Sequence, residues 1–215
     1  MCFSTEASFT ASLFLGAAGG ITIKNTTSRS QFFIAAIPIL FAIQQLSEGL
    51  IWLHLTSHIG SHELFVNAER SFLTFAFLVW PIWAPLAFAL IEPISWRRSL
   101  LFINLYCGAA LSALNLTYAL REDVTVQIIN HSIQYNGHIP EQAILYPLIV
   151  MFPMFISSLK NVWIYGALIV IAFIIANYYY FHTFASVWCF FSAITSLFVY
   201  KIVKDNQYSP EKASP

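Results

Sequence analysis

The chain has 215 residues, of which 58% are hydrophobic and 17% aromatic, while only 9% are charged. So few charged residues cannot coat a water-soluble globule of this size, and a formal net charge of zero offers no basic surface to nucleic acid. We therefore expect an integral membrane protein whose main partner is the lipid bilayer, with no nucleic-acid partner.

Seven apolar runs are long enough, or nearly so, to cross a bilayer as helices. The hydrocarbon layer is about 30 Å thick, so a spanning helix needs roughly 20 residues at 1.5 Å each. The predicted fold is all-α, a polytopic membrane helix bundle in one domain over residues 1–204, followed by a flexible cytoplasmic tail at 205–215. The first and fifth runs are short. The seven runs cover 7–23, 32–54, 71–92, 99–120, 141–158, 162–180 and 184–204.

The basic residues predict the direction of the spans, because lysine and arginine concentrate in cytoplasmic loops. In a seven-span topology eight of the ten fall on one side, namely Lys24, Arg29, Arg97, Arg98, Lys160, Lys201, Lys204 and Lys212. Only Arg70 and Arg121 fall on the other side. This division favours an odd number of spans, with the N-terminus outside the cytoplasm and the C-terminus inside.

Five prolines, at positions 38, 81, 85, 147 and 153, lie inside the predicted spans. Each frees a backbone carbonyl, which lipid tolerates only where neighbouring groups or water satisfy it.

The longest loop, 121–140, contains a β-branched run from Val124 to Ile129 and a turn signal at Asn136-Gly137. These features predict a small exposed hairpin that could cap the outer face.

A polar cluster interrupts the second span. Gln44, Glu48 and Trp52 share one helix face at four-residue spacing, and Gln45 lies beside them. Glu48 lies about six residues, or roughly 9 Å, below the outer end, where an ionised carboxylate must be paired, protonated or in contact with water. We interpret the four residues as a ligand-binding site. The alternative is a protonated glutamate that only fixes the register between helices.

Thiol, imidazole and carboxylate side chains gather near the outer side of the predicted topology. Cys2, Glu48, His182 and Cys189, with Glu6 nearby, could converge on one site, and such ligands favour zinc or copper. The alternative is that Cys189 is a small residue at a helix contact, as free cysteine often is.

Three histidines, His54, His58 and His62, follow one another at four-residue spacing. A continuous helix would align them for metal capture, whereas the intervening Gly60 favours a loop that carries ordinary polar histidines. We favour the loop.

Four segments carry a resemblance to a known group, namely residues 1–9 (MCFSTEASF), 35–49, 79–85 and 187–191. Together they resemble an uncharacterised family of small bacterial membrane proteins that begin Met-Cys-Phe-Ser. The resemblance spans most of the chain. It implies a multi-pass protein of the bacterial inner (cytoplasmic) membrane, and it carries over no catalytic residue.

These observations favour a membrane protein that binds a small ligand or metal ion in a polar pocket open to the periplasm, as a sensor, carrier or accessory factor. The alternative is a membrane-embedded metal-dependent enzyme, such as a hydrolase. A transporter, or a structural subunit with a membrane protein partner or a second copy of itself, is a further alternative. The sequence does not decide whether the protein is an enzyme.

Overall fold

The computed structural model describes residues 4–119, 124–136 and 145–207 of the chain. In these ranges the protein is a bundle of α-helices with one two-stranded sheet. The helices are α1 (Thr5–Lys24), α2 (Arg29–Ala35), α3 (Ile37–Ser57), α4 (His62–Thr74), α5 (Trp80–Ile91), α6 (Ser95–Ala119), α7 (Leu145–Ile156), α8 (Val162–Tyr179), α9 (Phe184–Thr195) and α10 (Val199–Asp205). The strands are β1 (Thr125–Ile129) and β2 (Ser132–Asn136).

Six helical segments in the described ranges are long and apolar enough to cross a membrane. Three of them are composite: α2 continues into α3, a π-helical turn at Phe75–Val79 joins α4 to α5, and short 3₁₀ turns flank α9. The all-α prediction is confirmed, and six of the seven predicted runs overlap these helical segments. The six segments are Thr5–Lys24, Arg29–Ser57, His62–Ile91, Ser95–Thr117, Val162–Tyr179 and Phe181–Asp205.

The fifth predicted run, 141–158, differs from the other six. Its described helix, α7, has 12 residues, which amount to about 18 Å and fall short of a bilayer. Its C-terminal end nevertheless reaches the end of the bundle where α5 stops, because Ser157 and Ser158 both donate hydrogen bonds to the carboxylate of Glu92. Within the described residues α7 therefore reaches this end of the bundle, and residues 141–144 of the predicted run lie outside the described residues.

The two ends of the bundle differ in charge. We call the end that carries Asn25, Glu92 and Asn206 the inner end, and the opposite end the outer end, following the predicted topology. Hydrogen bonds from Gln207 to the Asn25 carbonyl and from the Lys160 amide to Asn206 join three loops at the inner end. They also hold 205–207, which the sequence assigned to the flexible tail. Seven basic residues lie at this end, namely Lys24, Arg29, Arg97, Arg98, Lys160, Lys201 and Lys204.

Polar side chains on one face of α6 satisfy carbonyls that prolines leave free. Pro81 removes the donor for the carbonyl of Phe77, and Asn115 Nδ2 donates to that oxygen at 3.0 Å. Ser112 Oγ donates to the neighbouring Leu78 carbonyl at 2.9 Å. At these positions, side chains inside the bundle provide the hydrogen bonds that lipid could not supply to a helix broken by proline.

The same face of α6 continues towards the inner end. Pro153 frees the carbonyl of Ile149, which accepts a hydrogen bond from Asn104 Nδ2 at 2.9 Å. Between these contacts, Gly108 packs so closely on α5 that a Cβ atom there would lie 1.8 Å from the Pro81 oxygen. We refer to Asn104, Gly108, Ser112 and Asn115, with their partners on α5 and α7, as the proline seam.

Helix α3 lies in the middle of the bundle, between α1, α4 and α9. Small residues allow α1 to approach it closely. A Cβ atom on Gly19 would lie 2.7 Å from Ile39, and one on Gly49 would lie 2.9 Å from the ring of Phe9. Such close contacts are typical of helices that associate in lipid. Because α3 has neighbours on several sides, the polar side chains in its middle, Gln44, Gln45, Ser47 and Glu48, are buried against protein.

The outside of the bundle is strongly apolar. More than half of the surface of several large apolar or aromatic side chains is exposed, at Leu13, Phe14, Ile103, Tyr106, Leu114, Ile171 and Ile174. Exposed apolar area on this scale is unusual for a monomer in water and marks contact with lipid or with another protein.

A β-hairpin forms where the sequence predicted one, but its turn is different. Ile129 pairs with Ser132, and the two turn residues, Asn130 and His131, have positive φ angles of 47° and 60°. Two positive φ values are typical of a type I′ turn, which matches the twist of the strands. The turn therefore lies at Asn130-His131, six residues before the predicted Asn136-Gly137. One part of the hairpin is also buried rather than exposed, since Ile133 is fully enclosed.

Candidate ligand site around Glu48

Three polar side chains of α3 are enclosed in the bundle. Gln44 and Gln45 are 0% exposed, and Glu48 is 1% exposed. They lie near the middle of the helix, where Gln44 contacts Trp80 of α5 and Glu48 contacts Ser186 of α9. The sequence predicted a pocket open to the outer side, but in the structure these side chains have almost no contact with solvent, so the site is closed.

The carboxylate of Glu48 has only neutral partners. The hydroxyl of Ser186 on α9 donates a short hydrogen bond to Oε1, and Gln45 Nε2 donates to Oε2 at 3.1 Å. No lysine, arginine or histidine in the described ranges pairs with this carboxylate. The other atom of the Gln45 amide, Oε1, is buried and receives no hydrogen bond. The site therefore has more hydrogen-bond acceptors than donors.

Gln44 connects three helices one turn further towards the inner end. Its Nε2 donates to Cys189 Sγ at 3.3 Å, and its Oε1 accepts from Trp80 Nε1 at 2.8 Å. The ring of Trp80 stacks on Phe41, with ring centroids 4.1 Å apart. These contacts tie α5 and α9 to α3 and fix the positions of Gln44 and Cys189.

A small cavity lies directly below this layer. Its volume is about 30 Å³, and its walls include Cys189 and Ser192 as well as five aromatic side chains, those of Phe41, Trp80, Tyr146, Tyr165 and Trp188. A space of this size holds one or two water molecules or another ligand of similar size. Cys189, one of the walls of the cavity, accepts the hydrogen bond from Gln44.

The hairpin adds polar groups on the outer side of the site. Strand β2 packs against α9, and the ring of Tyr135 stacks on Phe72 of α4 with centroids 4.7 Å apart. Burial raises the pKa of Tyr135 well above its ordinary value, and the negative charge of Glu48 raises it further. The Tyr135 hydroxyl is buried and has no hydrogen-bond partner. The hairpin thus lies close enough to Glu48 to act on it electrostatically.

Trp52, the fourth predicted ligand-binding residue, is buried one turn beyond Glu48 on α3. The structure therefore brings Gln44, Gln45, Glu48 and Trp52 together along one enclosed stretch of helix, as their spacing indicated. Whether they bind a ligand is a separate question.

The four predicted metal ligands are not gathered in the same way. Glu48 and Cys189 are both buried but have different hydrogen-bond partners, Ser186 and Gln45 for Glu48 and Gln44 for Cys189. His182 is exposed, and its ring lies against Phe181. Cys2 lies outside the described residues. Within 4–119, 124–136 and 145–207, no group of three or more histidine, cysteine, aspartate or glutamate side chains is arranged to hold a metal ion. The zinc or copper site stays a prediction.

The three histidines do not lie along one continuous helix, as the loop interpretation predicted: His54 is in the last turn of α3, His58 is in the connecting turn, and His62 begins α4. Helix α3 ends at Ser57, and His58 takes a left-handed conformation with φ of 52°, so the helix does not continue. The rings of His54 and His62 both stack against Phe65, at centroid distances of 4.6 and 6.3 Å. The His54–Phe65 contact joins α3 to α4, whereas the His62–Phe65 contact lies within α4.

Sequence reasoning missed a second buried carboxylate, Glu92, which is 0% exposed at the inner end. It accepts hydrogen bonds from the Ser157 hydroxyl, from the amide and hydroxyl of Ser158, and from the Ile94 amide. Burial raises the pKa of Glu92, but these hydrogen bonds together outweigh burial and hold the pKa below its ordinary value. The acidic residue followed by proline at the end of a predicted span was a sequence signal that could have indicated this buried carboxylate.

Ser186 was also missed as a partner of Glu48. It lies three residues before Cys189, on the same face of α9, so a serine at this depth near an acid was visible in the sequence. What the sequence lacked was the information that α9 packs against α3. The same limitation applies to the hydrogen bond from Trp80 to Gln44.

The fold and site define a helix-bundle protein with six helices of membrane length in the described ranges and an enclosed carboxylate, that of Glu48, among amide and hydroxyl groups. The chain belongs to a family of unknown function, DUF6629, whose sequence profile matches residues 1–214. This assignment confirms the resemblance to an uncharacterised family. No curated protein and no solved structure matches the chain.

Proposed function

We propose that the chain is an integral membrane protein of the bacterial inner membrane, with its N-terminus and the Glu48 site towards the outer side. Six apolar helices, an apolar exterior and internally satisfied proline carbonyls support insertion into lipid. The basic residues gathered at one end support the orientation.

The native cysteine Cys107 offers a test of insertion. It lies in the middle of α6 and is exposed in the structure, so in a membrane its thiol faces lipid. In cells carrying Cys2→Ser protein, we expect a membrane-impermeant maleimide to label Cys107 only after denaturation. Labelling of Cys107 in intact membranes would contradict insertion.

Two added cysteines test the orientation. Ser57→Cys lies at the outer end of α3, and Ser95→Cys lies at the inner end of α6; both positions are exposed. The impermeant reagent should label Ser57→Cys from outside, and it should label Ser95→Cys only when vesicles expose the cytoplasmic face. The reverse pattern would invert the topology.

The proposed function is binding of a small ligand at the Glu48 site, as part of a sensor, carrier or accessory factor. One observation carries this proposal: an enclosed carboxylate has two neutral donors and lies beside an amide oxygen that has none. An acid within a membrane helix is costly, so a ligand that supplies the missing positive charge or hydrogen bonds would lower that cost. Because the site is closed, exchange requires a local opening towards the outer side.

Mass spectrometry on detergent-purified protein tests this function directly. Wild type, Glu48→Gln and a matched control, Glu63→Gln on the exposed first turn of α4, are compared for retained small molecules and for bound metals. We expect a species that is retained by wild type and Glu63→Gln and lost from Glu48→Gln. Stoichiometric zinc or copper that is lost on Cys189→Ser would favour the metal-dependent enzyme instead. If no variant differs from wild type, the proposed binding function is wrong.

A further inference from the structure

The charges around Glu48 limit what the site can hold. Within the described ranges its two hydrogen-bond donors, Ser186 and Gln45, are neutral, and no basic side chain pairs with it. A single negative charge in a medium of low dielectric constant is balanced by a single positive charge. A divalent ion would leave one uncompensated positive charge in the same enclosed space, so charge balance favours a monovalent ligand.

The atoms around the carboxylate are oxygen ligands. Gln45 donates through Nε2, so its unpartnered Oε1, on the same amide carbon, lies within a few ångströms of Glu48. Ser186 Oγ gives its proton to Glu48 and keeps lone pairs free to accept or coordinate. Carboxylate, amide and hydroxyl oxygens are hard ligands and suit hard cations rather than zinc or copper. The sulfur of Cys189 already accepts a hydrogen bond from Gln44.

The neighbouring cavity also suits a small cation. Its volume of about 30 Å³ matches a ligand the size of one or two water molecules, and Phe41, Trp80, Tyr146 and Trp188 are among its walls. Aromatic faces attract cations. A cation that leaves Glu48 towards the inner side would meet this cavity after one helical turn.

We propose that the Glu48 site binds a small monovalent cation, an alkali ion or ammonium, through Glu48, Gln45 Oε1 and Ser186 Oγ. This proposal rests on the proposed binding function and names the class of its ligand. Both cation types share a single positive charge and an affinity for oxygen atoms, and ammonium can in addition donate hydrogen bonds to Gln45 Oε1 and contact aromatic rings.

The test titrates the purified full-length protein with Na⁺, K⁺, Li⁺ or NH₄⁺ chloride at constant ionic strength. The large cation N-methyl-D-glucamine is the balancing ion. Tryptophan fluorescence is the readout, because Trp80 is joined to the site through Gln44, and thermal stability is measured in parallel, since a ligand that binds only the folded state stabilises it. Ca²⁺ is included as a divalent comparison.

We expect a saturable response to at least one small monovalent cation and none to N-methyl-D-glucamine. Glu48→Gln should abolish the response, Ser186→Ala should weaken the apparent affinity by about tenfold, and Glu63→Gln should leave it unchanged. A stronger response to Na⁺ than to NH₄⁺ would identify an alkali site, and the opposite order an ammonium site.

Three results would overturn the inference: no cation-specific response in wild type, an equal response in Glu48→Gln, or tighter binding of Ca²⁺. The wild-type titration alone is decisive if Glu48→Gln fails to fold. If mass spectrometry finds an organic molecule whose retention depends on Glu48 and no cation gives a response, the cation inference fails while the proposed function stands. If neither experiment depends on Glu48, both fail.

Discussion

Two regions of the bundle bury polar side chains, and they do so differently. In the proline seam and at Glu92, polar side chains are matched to specific backbone or hydroxyl groups: Asn104 binds a carbonyl that Pro153 leaves free, and Glu92 accepts four hydrogen bonds. At the Glu48 site the carboxylate accepts two, and a neighbouring amide oxygen accepts none.

The distribution of unsatisfied atoms shows the same contrast. Among the described residues, seven buried side-chain nitrogen or oxygen atoms have no hydrogen-bond partner, and two of them, on Arg97 and Asn115, belong to α6. The other five lie on α3, the hairpin and α9, at Gln45, His54, Ser132, Tyr135 and Trp188. In the seam, asparagine and serine side chains hold helices together by donating hydrogen bonds to backbone carbonyls. At the Glu48 site, Gln45 Oε1 accepts no hydrogen bond and is therefore free to bind a ligand. Four predictions follow from this difference, in order of expected effect.

The largest effect is expected from Gly108→Ala, which tests the closest contact in the seam. The new Cβ atom would lie 1.8 Å from the Pro81 oxygen and 2.8 Å from its carbonyl carbon, so α5 and α6 must separate. We expect a loss of about 3 kcal/mol or more in the free energy of unfolding, measured by chemical or thermal unfolding in detergent. Gly20→Ala is the matched control, because nothing lies within 4 Å of its added Cβ. Equal stability of the two variants would disprove the close contact.

Glu92→Gln should have the second-largest effect, about 1–3 kcal/mol, because charge-assisted hydrogen bonds to two serines are weakened. The folded-state pKa of Glu92 is held below its unfolded value. Its contribution is therefore complete above the unfolded pKa, about 4.3, and is lost as the pH falls through the lower folded-state pKa. Unfolding measured from pH 7 down to the acid limit should show wild type losing its advantage over Glu92→Gln. A constant difference across this range would contradict the assignment.

Replacing the seam asparagines by leucine should cost less, about 0.5–1.5 kcal/mol each. Both substitutions leave a proline-freed carbonyl without its donor. Asn115 also carries a buried Oδ1 with no partner, so its removal recovers part of the cost. Asn104→Leu should therefore destabilise more than Asn115→Leu in parallel thermal melts. The reverse order would mean that Asn115 has a partner absent from the structure.

The smallest change in stability is expected from Glu48→Gln, within about 0.5 kcal/mol in the absence of ligand. An amide keeps the size of the side chain and can still bond to Ser186 and Gln45, while the cost of an enclosed acid is removed. Unfolding of the two proteins in ligand-free buffer is the measurement. A loss as large as that of Glu92→Gln would assign Glu48 a structural role and remove the contrast between the two regions.

The amount that the sequence predicted differs between features. Six spans follow from runs of apolar residues, and the placement of Gln44, Gln45 and Glu48 on one helix follows from spacing. The turn at Asn130-His131 was not predicted. The position of this turn depends on which of two candidate turn sequences, six residues apart, joins the strands.

The sequence by itself determined which segments are helical and apolar, which end of the bundle carries the basic residues, and which helix carries the acid. These properties are set by neighbours along the chain, through helix periodicity and the length needed to cross lipid. The tertiary structure decided that Ser186 and not His182 meets Glu48, that Gln44 joins Trp80 to Cys189, and that α6 satisfies the carbonyls freed by prolines. Helices that are apolar on all sides carry no pattern that names their neighbours, so lateral packing alone could make these choices.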